Sequence, residues 1–380
     1  MDIFSRNIVT KGVYSLGGYG AENFSKASSN NELEINGINF FDPSSNQTYE
    51  IVALDALYPG DLVRSLKKSK SEMILAASHT HYAPHIDSAK KLLGTVHPQT
   101  LIDYKSAIEI ANKHEVFPDK CDMYSADIPI SIYRRFDYPK SRFNDFLCAN
   151  FGMYPNDAQD LDQALRIWVF SENATTRFVI VLFSCHPVSR ASRDKISADY
   201  VGIIREKIRE KFSCRTVLFF QGCSGDVRPN ISEKRISWLP KSRLNWRFKH
   251  KASKYDVKKF DEELKKGIKK LKLQNSYKLS SNFFSITDHI GCLTNNEKFS
   301  YKKLSIQGIA VFHFLPFEVS HLYHLHALKH AENNFIVTCS GPSAGYLCHP
   351  TQLKARGYEV EGSSKSQGVK SALALKGKFP

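Results

Sequence analysis

Five apolar runs of strand length each close on a side chain able to do chemistry, and this limits the fold more than any other feature of the chain. EMILAAS leads to His79 and His81. RFVIVLFSC leads to His186, TVLFFQGCSG to Asp226, IAVFHFLPF to Glu318, and NFIVTCSGPSAG to Tyr346. Between them lie segments with apolar residues at helical spacing: GDLVRSLKKSKS, IDYKSAIEIANKHEV, DYVGIIREKIREKF, KYDVKKFDEELKKGIKKLKLQ and EVSHLYHLHALKHAE. Strand, helix, strand in repetition predicts an α/β fold, with a mostly parallel or mixed central sheet flanked by helices. In such sheets ligands bind at the C-terminal ends of the strands. The active site is therefore expected where the five runs end.

The rest of the chain fits around that frame. TYEIVALDALY reads as a strand with Asp55 near its end, and RIWVFSENATTRFVIVLFSC as two strands joined at Glu172-Asn173. YKLSSNFFSITDHI and KKLSIQGIAVFHFLP read as strands. Residues 1–50 read as surface loop with one or two short strands, rich in Gly, Asn and Ser over about 16–35, and the tail 363–380 is lysine-rich. A hydrophobic content of 42% in 380 residues supports a sizeable core, and no linker or repeat divides it, so one domain over 1–380 is expected.

Charge and cysteine usage narrow the class. The net charge is +15, with lysine concentrated at Lys67–Lys70 and between Lys241 and Lys272. This is a solvated basic face, or an attraction for an anionic substrate or membrane surface. Helix-turn-helix, RRM and zinc-finger signatures are missing, so nucleic acid is not expected. No apolar stretch reaches the roughly 18 to 20 residues that span a bilayer. The start has no leader-like apolar region. The eight cysteines are dispersed without CxxC pairs and read as reduced thiols of a cytoplasmic protein.

The strand-end residues suit a metal. Imidazoles and carboxylates with one open position leave room for a water whose pKa the metal lowers. His79 and His81 are i and i+2, so on an extended segment both face one side, one as ligand and the other toward substrate. The competing reading is a half-buried, satisfied histidine. Glu318 opens a helix, where an acid also suits the dipole. His321, His324 and His326 follow on that helix and read as surface or supporting groups. The turn GCSGDVRPN, with Gly225 and Arg228, brings backbone N–H groups close to a substrate. It lacks the P-loop GK[ST] element, and Ser224 lacks a G-x-S-x-G frame. Cys185 and His186, adjacent on a strand, diverge and make a poor dyad. Arg134 and Arg135 in IYRRFDYP offer bidentate bonding to a polar group, or form a plain surface pair.

In order, these segments resemble the catalytic domain of the neutral, non-lysosomal ceramidase family. SHTHYAP is similar to its THTHSGP, IYRRFD to its INR, FSCHPVS with ISADYVG to its HPVS…SDNVGY, QGCSGDVRPN to its NLGDVSPN, LPFEVS to its IPGEFT, and SAGYLCHPTQLKARGYE to its YxxY…RYE. The resemblance runs over about residues 12–362. It implies a zinc amidohydrolase with one Zn2+ per chain, held by His79, His186, Glu318 and Tyr346. It further implies His81 in acid–base work, Arg134 near substrate and Tyr358 beside the site; from the residues themselves, Asp226 is expected to support a histidine and Gly225 to lie near substrate. Arg228 replaces a family serine, and the double glycine after the family's proline is absent. Family members carry a further C-terminal β domain, and many are secreted. The expected substrate is thus a small polar N-acyl compound, such as an N-acetylated sugar or nucleotide-linked sugar. A lipid amide, or a non-catalytic basic binding protein with a relict site, is the alternative. Homo-oligomerisation stays open.

Overall fold

The computed structural model describes residues 1–10, 13–19, 24–26, 33–66, 71–135, 153–241, 245–342, 344–355, 357–362 and 373–376. The Lys67–Lys70 run, half of the Gly/Asn/Ser-rich segment and most of the tail lie outside the described residues.

Three sheets carry the fold. The first has the order Glu72–Ala77, Gln47–Leu54, Glu34–Asp42, Asp2–Asn7, His114–Glu115. The second runs Thr216–Gln221, Thr175–Phe183, Ala164–Glu172, Lys120–Asp127, Lys272–Lys278. The third runs Phe284–Cys292, Lys298–Ile306, Ala310–Phe314, Asn334–Val337. Successive side chains on a strand face opposite sides. Ile51 and Ala53, Trp168 and Phe170, Leu218 and Phe220, and Phe312 and Phe314 turn inward to one core shared by all three sheets. Their sequence neighbours turn outward to helices. Val52 and Leu54 pack with Leu62 and Tyr104. Val179 and Val217 pack with Ile204 and Phe260. Ile336 packs with Tyr323 and Ala327.

The architecture is α/β with mixed sheets. Tight connections impose antiparallel pairing: Asn173 and Ala174 have φ of 50° and 62°, the two-residue turn that suits the strand twist. Parallel pairing occurs where a helix bridges two strands. Gln47–Leu54 pairs with Glu72–Ala77 across the helix Leu62–Ser65. Thr175–Phe183 pairs with Thr216–Gln221 across Tyr200–Phe212. Ala310–Phe314 pairs with Asn334–Val337 across His321–His330. The C-terminal ends of these six strands precede the candidate chemistry.

Three segments depart from expectation. Residues 1–50 contain the long strands Asp2–Asn7 and Glu34–Asp42, inside the first sheet rather than in surface loop. Their polar residues mislead because they are buried and paired: Asn36 accepts the N–H of Val217 at 3.2 Å. Lys120–Asp127, too polar to be read as a strand, is held between two neighbours in the second sheet. KLKLQ does not prolong the helix Lys254–Lys269 but starts the strand Lys272–Lys278, whose exposed lysines blunt a sheet edge.

Candidate metal centre

Three imidazoles meet where the parallel pairs end. His79 and His81 follow Glu72–Ala77, and His186 follows Thr175–Phe183. The ring nitrogens lie within 4.8 Å of one another. Contrary to expectation, His79 and His81 do not sit on an extended segment. The chain turns at His79, whose φ is 64°, a region costly for a residue with a Cβ. That turn brings the rings of His79 and His81 to 5.2 Å, edge to face.

Each ring is fixed from behind by a backbone carbonyl. His79 Nδ1 lies 2.9 Å from the oxygen of Leu57, His186 Nδ1 2.9 Å from that of Ser224, and His81 Nδ1 3.2 Å from that of Gly18. A carbonyl only accepts, so Nδ1 carries the proton in all three and Nε2 is left to ligate. Gly18 is needed for this approach, since a Cβ there would fall 2.0 Å from His81 Nδ1. His79 Nε2 stands 3.2 Å from His186 Nε2. Two lone pairs at that distance repel unless a cation, proton or metal, is shared between them.

The charges agree. Burial, then His79, holds His81 well below the usual histidine range, and burial, then Arg134, does the same for His186. Both are neutral. Burial also opposes a charge on His79, but Cys339 and Glu318 outweigh it and push this ring up, so the shared charge gathers there. Burial disfavours the Glu318 carboxylate too, yet His79 keeps it well below the usual range and ionised.

Glu318 completes the cluster. Its Oε2 is 3.3 Å from His79 Nε2 and 3.7 Å from His186 Nε2. Oε1 accepts the Tyr58 hydroxyl. Residues Glu318 and Tyr346 are direct partners in a short parallel bridge, so both ends of the third sheet's crossover arrive together. The buried atoms Glu318 Oε2 and His81 Nε2 have no hydrogen-bond partner among the described residues. Imidazole nitrogens and a carboxylate oxygen gathered in this way form a set able to hold a metal ion.

The remaining expected residues fall around this cluster in different ways. Arg134 follows the strand Ser131–Tyr133 and is wholly engaged by the protein: Nε donates to Glu359 at 2.7 Å, Nη2 to the oxygen of Gly225 and to Tyr346 Oη at 3.1 Å. Arg135 shares Glu359 at 2.7 Å and is buried, not a surface residue. Gly225 packs on the backbone of Glu318 and Val319, where a Cβ would fall 2.9 Å from the Glu318 oxygen. Tyr358 stands edge-on to Tyr346 at 6.2 Å. Asp226 departs from expectation, because its carboxylate meets no imidazole of the cluster. It accepts the N–H of His321 at 2.7 Å, the Ser320 hydroxyl and Gln352 Nε2 at 2.7 Å, and so fixes the helix that follows Glu318. Among the helix histidines, His324 pairs with Asp162, and His321 Nε2 accepts the N–H of Asp162 at 2.9 Å.

His81, His186, Glu318, Tyr346, Arg134 and Arg228 line one cavity of about 210 Å3. A larger groove of about 1180 Å3, along Thr48, Met73 and Tyr301, holds none of them. Gly18, Tyr58, Cys339 and Glu359 escaped the sequence reading. Their signal is spatial: Tyr58 and Cys339 each reach partners 260 residues away.

No family model and no curated protein matches the sequence. Solved structures do match in shape. A neutral ceramidase from Pseudomonas aeruginosa superposes with a TM-score of 0.64 at 12% identity, covering 99% of this chain and 76% of that one. A ceramidase complexed with C2 superposes with a TM-score of 0.65 at 12% identity, covering 94% and 71%. At this identity the likeness is one of fold. No helix among the described residues is long and apolar enough to cross a membrane.

Proposed function

We propose that this chain hydrolyses the amide bond of an N-acyl compound with a metal-bound water. The observation behind the reading is the convergence of three carbonyl-anchored imidazoles on the ionised, orphaned Oε2 of Glu318. His79, His186 and Glu318 would hold one zinc, with Tyr346 beside Glu318. The ion, when bound, supplies an acidified water and an electrophile for the amide carbonyl.

The chain's own residues do the rest. His81 Nε2 is unprotonated and free, so it takes a proton from the nucleophile and returns it to the leaving amine. The Gly18 oxygen holds the imidazole in that tautomer through Nδ1. Arg134, braced by Glu359, holds the Tyr346 hydroxyl in place.

Of the substrates expected from sequence, a lipid amide gains support from the fold likeness to ceramidases. An N-acetylated sugar or sugar nucleotide gains none beyond the charge of the cavity. The test pairs elemental analysis with amine release, on wild type and His186→Ala. About one zinc per wild-type chain, lost together with amine release in the variant, is the expected outcome. A wild type that neither contains nor takes up zinc ends the reading.

A further inference from the structure

Arg228 is a cation without a paired carboxylate among the described residues. It sits in the short strand Val227–Pro229 and lines the cavity of the histidine cluster. Its Nε is sealed from solvent without a hydrogen-bond partner. Among the described residues its guanidinium makes one weak side-chain bond, from Nη1 to Met153 Sδ at 3.8 Å, and lies 4.4 Å over the Phe248 ring. No carboxylate among the described residues pairs with it. The other arginines of this region contrast with it: Arg134 and Arg135 share Glu359, and Arg190 grips Asp261. Arg193, a second cation on the cavity wall, bonds the oxygen of His250 at 3.3 Å and stacks on Tyr19, but meets no acid among the described residues.

A half-buried guanidinium without an anion is costly, and surrounding positive charge adds to the cost. Burial, then Arg134, pushes Arg228 down to about 10, which still leaves it charged at neutral pH. The stacking on Phe248 orients the planar fork while leaving its in-plane donors for another group. A fork held this way matches an oxyanion in a bidentate manner.

We propose that the substrate is an anionic amide, whose carboxylate or phosphate docks on Arg228 while its scissile bond lies at the histidine cluster. This deepens the hydrolase reading and rests on it. The cavity of about 210 Å3 is small, so the anion lies close to the amide. Arg193 adds long-range attraction at the rim.

Two matched pairs of compounds test the proposal and separate the sources of the oxyanion. N-acetylglycine and N-acetylglycinamide differ by a carboxylate; N-acetylethanolamine phosphate and N-acetylethanolamine differ by a phosphate. The wild type is expected to release amine from the charged member of one pair with a kcat/KM at least about tenfold above the neutral member. Which pair shows the preference identifies the oxyanion. In Arg228→Gln the ratio falls toward one. Equal cleavage of both members by the wild type overturns the proposal.

Calorimetric titration of inorganic phosphate and N-acetylglycine into His186→Ala protein supplies a readout without metal or turnover. Binding that weakens at least about tenfold on adding Arg228→Gln supports the site. Equal binding to both proteins overturns it, whatever the activity. Arg228-dependent binding with no amine released from any compound overturns the hydrolase reading alone. Arg228→Met guards against a folding artefact: removing an unpaired charge is expected to raise the melting temperature of the ligand-free protein and to abolish its rise with phosphate. A melting temperature that falls, with the phosphate response intact, counts against the proposal.

Discussion

Tyr58 shows how single residues tune the cluster from outside it. Its hydroxyl donates to Oε1 of Glu318, leaving Oε2 to face His79 and His186. Partners of this kind orient a ligand and are typically worth about 10–100-fold in metal affinity. Tyr58→Phe is expected to weaken zinc binding by about that factor, read by competition with a chromogenic chelator. Gly18→Ala acts on the other side, forcing the His81 ring from its carbonyl anchor. Its expected signature is retained zinc with turnover down by about 100-fold, as a displacement of about 1 Å produces. His79, His186, Glu318 and Tyr346 were legible as candidates because each ends an apolar run, a pattern visible without any contact map. Gly18 and Tyr58 were not, since a glycine in a Gly/Asn/Ser-rich stretch and a tyrosine after a strand look ordinary until the chain closes.

Elements deliver these residues through their ends. The helix His321–His330 begins three residues after Glu318, capped by Ser320, whose hydroxyl also reaches Asp226. Asp226 thereby ties the turn after Thr216–Gln221 to the start of that helix, and adds Gln352 from a later segment. Asp226→Ala leaves three buried donors without an acceptor. The expected loss is about 3 kcal/mol of unfolding free energy in urea, with zinc content unchanged at saturating metal. Had Asp226 directly oriented a ligating imidazole, zinc affinity would fall first. Element type was readable where an apolar run was unbroken, as in Thr175–Phe183, or helical spacing was strong, as in Tyr200–Phe212. It failed at Glu34–Asp42 and Lys120–Asp127, where burial of polar residues depends on partners from distant strands.

At the scale of the molecule, one ion-pair network joins the first sheet to the helix Tyr200–Phe212 of the second. Glu34 takes Arg209 Nη1 at 2.9 Å, and Arg205 Nη1 donates to Asp55 at 2.9 Å. The Glu34 N–H donates to Asp55 at 2.9 Å, which closes the network across the strand end that carried Asp55 in the sequence. Burial alone would raise Glu34; Arg205 and Arg209 overcome it and hold it down at about 2, against 4.5 in an open chain. A depressed carboxylate adds stability that is full above the unfolded value and is lost as pH falls through the folded one. The window here is therefore pH 4.5 to about 2, and the shift corresponds to roughly 3 kcal/mol. Urea unfolding between pH 5 and 2 is expected to show stability falling with pH across this window. Glu34→Gln should flatten that part of the slope and lower stability at pH 7, because Arg205 and Arg209 lose a half-buried anion. An unchanged slope in the variant would mean that the Glu34 carboxylate contributes nothing to the union of the first sheet with this helix, leaving the Arg205–Asp55 pair and apolar packing to hold them.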